Sequence, residues 1–167
     1  MYKKVTIELL REVAQDAMEI ANRYSRRHKT EFFFDPIIFT LLTERGFGRV
    51  RRQYPLTRLP SQQRVSRVDY YVGGYNPVLI ELACRTQGGE LMPRANASEL
   101  KKLIRKRKAR TRFLLLIDPT KRRPHKREKL KAQYKAWKPG KGNFLQLPVR
   151  VIYVRPDEAY HFKWKRR

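Results

Sequence analysis

The sequence predicts an α/β fold: one domain over residues 1–167 with a mixed central β-sheet flanked by helices. Three observations carry this. Apolar residues recur at helical spacing near the start, three strand-like runs follow one another between Gly48 and Thr86, and two short apolar runs, Phe113–Ile117 and Val149–Val154, are each preceded by a helix-like stretch. The elements divide into an N-terminal helix within residues 1–30 and a core over 35–155.

From Val5 to about Arg26, Leu10, Val13, Ala14, Ala17, Ala21 and Tyr24 form one face, while Glu8, Glu12, Asp16 and Glu19 gather on another. Asp35-Pro36 reads as an N-cap with proline at the first helical position, opening a short helix Ile37–Arg45 that stops at Gly46. Three strands are predicted next, Gly48–Leu56, Arg64–Gly73 and Pro77–Thr86, with Gly73-Gly74-Tyr75-Asn76 as a hairpin turn between the last two. Ser98 reads as the N-cap of a helix to Lys108 with a Leu100, Leu103, Ile104 stripe. The run Phe113–Ile117, ended by Asp118-Pro119, marks a central strand buried on both faces. A basic helix Lys126–Trp137, the Pro139–Gly142 loop and a last strand Val149–Val154 complete the core.

The charge is as informative as the pattern. Forty Lys plus Arg stand against fifteen Asp plus Glu, a formal net charge of +25, while a 41% hydrophobic content suits a packed core rather than a disordered tail. Such an excess repels itself and calls for a polyanion, so nucleic acid is the expected partner, bound through its phosphates. No apolar run approaches the roughly 20 residues of a spanning helix, so no membrane partner is expected. The acidic first helix excludes a secretory h-region, and one cysteine, Cys84, excludes an internal disulfide. These observations suggest a cytoplasmic protein.

Against that background two acids stand out, because Asp69 and Glu81 alone break the basic stretch between Gly46 and Gly89. If the turn uses Gly74–Asn76, Gly73 faces Pro77, and counting back sets Asp69 opposite Glu81 on one face of the sheet, about 5 Å apart at Cβ. Two carboxylates that close raise one another's pKa or recruit a cation. Hard oxygen ligands on neighbouring strands suit Mg²⁺ or Mn²⁺, with water and substrate phosphate filling the remaining positions. The alternative is that each acid pairs with a nearby arginine, Arg67 or Arg85, as a structural salt bridge.

In this constellation the sequence resembles the PD-(D/E)xK nuclease superfamily, over roughly Asp35 to Val154. The resemblance implies a restriction endonuclease-like αβββαβ core with an extra N-terminal helix. It also implies metal-dependent hydrolysis of DNA phosphodiesters, with Asp69 and Glu81 as metal ligands and Glu44, on the preceding helix, as a third. The motif lysine would fall at position 83, where this chain has Ala83. Arg85 shares the face of Glu81 by strand alternation and would stabilise charge on the phosphate; Lys101 would reach the site from the next helix. Backbone contacts are expected from Lys101, Lys102, Arg105, Lys106, Lys108, Arg110, Arg112, Lys121, Arg122 and Arg123. Many members of the superfamily act as homodimers, although no interface is legible here. Two other readings remain open: a catalytically inactive nuclease-fold protein that binds DNA or RNA, and a ribosome-associated RNA binder.

Overall fold

The first helix forms because its small and apolar residues fall on one stripe. In the computed structural model, which describes residues 4–24, 30–45, 49–56, 66–86, 90–105, 109–141, 144 and 146–165, helix α1 (Ile7–Tyr24) buries Leu10, Val13, Ala14, Ala17, Met18 and Ala21. Helix α2 spans Glu31–Glu44, one turn earlier than the Asp35-Pro36 cap predicts. Its buried stripe, Phe34, Ile38 and Leu42, starts ahead of the proline, and Pro36 lies inside the helix, in its second turn, where it has no N–H to donate to the carbonyl four residues back. Thr30 is the N-cap residue.

Six strands follow: β1 (Val50–Pro55), β2 (Arg67–Val72), β3 (Val78–Cys84), β4 (Thr111–Ile117), β5 (Val149–Val154) and β6 (Ala159–Trp164). They form one sheet in chain order. β1, β2 and β3 make an antiparallel meander, β3, β4 and β5 are parallel, and β6 returns antiparallel at the edge. The two parallel crossovers contain α3 (Ala97–Arg105) and α4 (Arg127–Ala136). Both pack on one sheet face, against Leu79, Leu114, Leu116 and Val151, while α1 and α2 cover the other, against Ile80, Leu82, Phe113 and Leu115. The fold is thus a mixed α/β sheet between two pairs of helices.

Central strands buried on both faces need apolar residues at every position, which is why β4 and β5 read as continuous runs. β6 instead alternates, burying Tyr160, Phe162 and Trp164 and exposing the residues between. The sequence pattern does not predict β6, because His161 and Lys163 interrupt its apolar residues. α3 starts at Ala97, not after a Ser98 cap, and the Ser98 hydroxyl bonds the Glu99 carboxylate at 2.7 Å. Residues 25–26, 46–48, 64–65, 106–108 and 142 of the predicted elements lie outside the described residues.

Candidate active site

The hairpin turn sets the geometry of the site. Gly74 takes φ +133, a region open to glycine, and the register that results pairs Val72 with Val78, Tyr71 with Leu79 and Tyr70 with Ile80. Continuing that count places Asp69 across from Glu81, as the turn predicts. At this point side chains replace the backbone ladder. The Leu82 N–H donates to Asp69 Oδ2 at 2.7 Å, and the Asp69 N–H donates to Glu81 Oε1 at 3.3 Å. Asp69 is 8% exposed and Glu81 fully buried, so both carboxyls sit at the base of a fork between β2 and β3.

A lysine enters this fork from α3. Lys102 Nζ donates to Glu81 Oε2 at 2.9 Å. Among the described residues Lys101, expected to reach over, contacts neither acid, and it is Lys102, expected only to bind the nucleic-acid backbone, that does. Burial, and then the charge of Asp69, push the Glu81 carboxyl well above the usual range, with Lys102 pulling the other way. Burial likewise raises Asp69, against the Leu82 hydrogen bond and Lys102. Desolvation alone would lower Lys102, but the charges of Glu81 and Asp69 more than offset it and keep the ammonium protonated.

On the other flank of Asp69, Gln53 occupies the position on β1 opposite it, with φ +48, the one non-glycine residue at positive φ among the described residues. Its amide Nε2 donates to Asp69 Oδ1 at 3.3 Å. Backbone strain of this kind concentrates where a side chain must be aimed, here at a candidate ligand.

Helix α2 contributes its N-terminus. Glu31 has its carboxyl pushed up to about 7 by desolvation first, then by the charges of Asp69 and Glu99, with Lys102 opposing. As a residue it is exposed, whereas Asp69 and Glu81 are buried. Asp35, one turn on, is engaged structurally: its Oδ1 accepts the Tyr70 hydroxyl at 2.6 Å, and its Oδ2 pairs with Arg52. Glu44, expected as the third ligand, is exposed at the far end of α2, about 20 Å along the helix from Glu31. The displaced helix start explains the error: the acid near the fork is in the turn ahead of the proline, where no helix was expected.

Arg85 is also elsewhere. β3 ends at Cys84, and the Arg85 N–H donates to the Ile117 carbonyl at 2.8 Å. Its guanidinium donates to Asp118 Oδ2 and the Arg123 carbonyl, each at 2.9 Å, and faces Glu90 Oε2 at 3.2 Å. A fully buried carboxylate at the end of β4 needs a cation, and Arg85 supplies it. Cys84 lies between the two polar groups; burial, followed by Glu31 and Asp118, pushes its thiol up to about 12, which leaves it inert.

Of the residues expected on the backbone-binding surface, Lys121, Arg123 and Arg110 are exposed; Arg110 also reaches Asn76. Arg105 sits over the Phe144 ring, and Arg122 pairs with Glu90. Arg112 is no phosphate ligand. It is fully buried, because its place in β4 turns the side chain under α3, where Nε donates to the Leu103 carbonyl at 2.7 Å. Lys106 and Lys108 lie outside the described residues.

Among the described residues, no three His, Cys, Asp or Glu side chains converge closely enough to cage a metal ion. Asp69 and Glu81 make a two-carboxylate set, which is the kind Mg²⁺ uses when water and phosphate complete its shell. No helix of the described residues is long and apolar enough to cross a membrane. No protein-family model matches the chain, and no curated protein matches it. Among solved structures, one titled "Crystal structure of SSO0001" is similar over 99% of this chain and 70% of its own, with 11% identity and a TM-score of 0.36.

Proposed function

We propose that this chain is a metal-dependent endonuclease that binds DNA through its phosphates and hydrolyses the phosphodiester at the β2–β3 fork. The observation that carries this reading is Lys102 Nζ at 2.9 Å from Glu81, beside Asp69, in a chain whose net charge is +25. It gives the resemblance to PD-(D/E)xK nucleases the lysine that the β3 sequence withholds. Asp69 and Glu81 would hold Mg²⁺ or Mn²⁺, with Glu31 near enough in charge to feel the same cation. When bound, the metal would polarise the phosphodiester and acidify a water for in-line attack.

The chain's own groups divide the remaining work. Lys102 stays protonated, so it stabilises negative charge on the phosphate rather than acting as a base. Glu31, at about 7, is matched to accepting a proton at neutral pH. Exposed Lys121 and Arg123 hold the backbone. Three acids with raised pKa around one lysine are costly in a metal-free protein, and a pure phosphate binder gains nothing from them.

The test is cleavage of plasmid, single-stranded and branched DNA with Mg²⁺ or Mn²⁺. Wild type is expected to cut, and Glu81→Gln to bind without cutting. Failure to cut any of these with either metal overturns the reading. A second reading, an inactive binder on the same fold, is favoured by the full burial of Glu81, both of whose oxygens already accept hydrogen bonds. It predicts salt-sensitive binding that Glu81→Gln leaves unchanged, and no cleavage by wild type.

A further inference from the structure

Away from the fork, two adjoining clefts form a trough along α4. One cleft of about 520 Å³ lies at its N-terminal end, lined by Arg85, Arg123, His125, Lys126 and Lys129 among others. A second of about 560 Å³ lies at its C-terminal end, lined by Arg94, Trp137 and Lys138 among others. Met92 and Gln133 line both, so the two clefts join. Each is the size of a pocket for one small-molecule-sized group, too narrow for a duplex.

Several features mark the trough as built for a ligand. Arg85 is 4% exposed, and its Nε has no hydrogen-bond partner. At the N-terminus of α4 the cap residue is Lys126, whose side chain makes no capping bond, so helix N–H groups and two lysines face the same end. Midway, the Gln133 amide bonds only the Met92 sulfur, at 3.3 Å, and its carbonyl Oε1 is unpartnered. At the far end Trp137 rests at 5.4 Å on Trp164 and is only half-buried, beside Met92 at 36% exposure. Among the described residues Glu90 is the one acid lining either cleft, and Arg85 and Arg122 neutralise it.

A basic end, an unpaired amide and an aromatic ring spread along about 16 Å of helix match the repeating parts of a single nucleic-acid strand. We propose that the trough holds a single strand of DNA, its phosphates over Arg123, Lys126 and Lys129, and a base stacked on Trp137 with its edge on Gln133. This rests on the nuclease reading and deepens it. Arg85 lines the trough and follows Glu81 by four residues at the end of β3, so the preferred substrate carries a single-stranded segment near the bond that is cut.

The chain has two tryptophans, and Trp164 is 2% exposed, so quenching by a bound base reports Trp137. In EDTA, a short oligo(dT) strand is expected to quench the fluorescence and bind about tenfold more tightly than a duplex of the same length. Trp137→Leu should remove the quench and weaken strand binding about tenfold. Lys126→Gln with Lys129→Gln, both at exposed positions, should weaken it similarly and flatten its salt dependence by a slope of about 1.4. Equal affinity for strand and duplex, or strand binding unchanged in the lysine variant, overturns the trough. Cleavage by wild type in Mg²⁺ is scored separately: its loss with strand binding intact sinks only the nuclease reading, and its persistence with equal strand and duplex affinity sinks only the trough.

Discussion

Two buried carboxylates, Glu81 in β3 and Asp118 just beyond β4, lie in neighbouring strands of one sheet and each faces a cation, yet they are set up in opposite ways. Burial would raise Asp118 as it raises Glu81. Hydrogen bonds from Thr120, Tyr153 and Arg85, with the charge of Arg85, hold Asp118 below the usual range instead. Its oxygens accept from the Thr120 hydroxyl at 2.6 Å, the Tyr153 hydroxyl at 2.7 Å and Arg85 at 2.9 Å, with Arg155 at 3.6 Å. Glu81 has one lysine, and a second acid shares it. The Asp118 group is satisfied and therefore structural; the Glu81 group sets two acids against one lysine, an imbalance that a metal ion would relieve on the nuclease reading. Burial and ion pairing alone do not separate the two, whereas the balance of partners does.

The largest effect expected from this contrast is on stability. Asp118→Ala leaves Arg85 buried with only Glu90 and the Arg123 carbonyl as partners and removes the acceptor of two hydroxyls, and thermal or urea unfolding should show a loss of about 3–5 kcal/mol. Glu81→Gln should behave oppositely. It removes like-charge repulsion at the cost of one ion pair and should leave the melting temperature within a few degrees of wild type. A large loss of stability in Glu81→Gln would make the fork as structural as the Asp118 group.

Next is the choice between two adjacent lysines. On the nuclease reading, Lys102→Ala should lower the cleavage rate about 10²-fold or more, the usual cost of losing one charge-stabilising donor. Lys101→Ala should stay within about twofold at low salt. Equal losses would remove the geometric argument for Lys102.

The two groups also titrate in opposite senses. Asp69, Glu81 and Glu31 are raised in the folded state, so the metal-free protein binds more protons folded than unfolded, and stability falls as pH rises from about 4.5 through 7. Asp118 is lowered, so its contribution is present above about 3.9 and is lost as pH falls below that. Melting curves between pH 3 and 8 should therefore decline on both sides. Glu31→Gln should flatten the high-pH side. The smallest expected effect is that of Mg²⁺ at pH 7.5, raising the melting temperature of wild type but not of Glu81→Gln.

Much of this molecule is set by local patterning. A strand buried on both faces must be apolar throughout, so Phe113–Ile117 and Val149–Val154 are legible at once. The Asp69–Glu81 pairing follows from a turn and the period of two, because both are short-range constraints. The basic surplus needs no structure at all. Other features depend on where elements dock. In α3 the stripe Leu100, Leu103, Ile104 has two flanks, with Lys101 on one and Glu99 and Lys102 on the other, and nothing in the helix itself says which flank meets the fork. Only its packing over β3 selects Lys102. The same holds for Arg85 and Arg112, whose long side chains follow buried acceptors supplied by distant segments, Asp118 and the Leu103 carbonyl. Sequence determined the strands and the acid pair because those rest on neighbouring residues; tertiary structure decided which cations the acids meet, because a charge several residues away in the chain is placed only by the core beneath it.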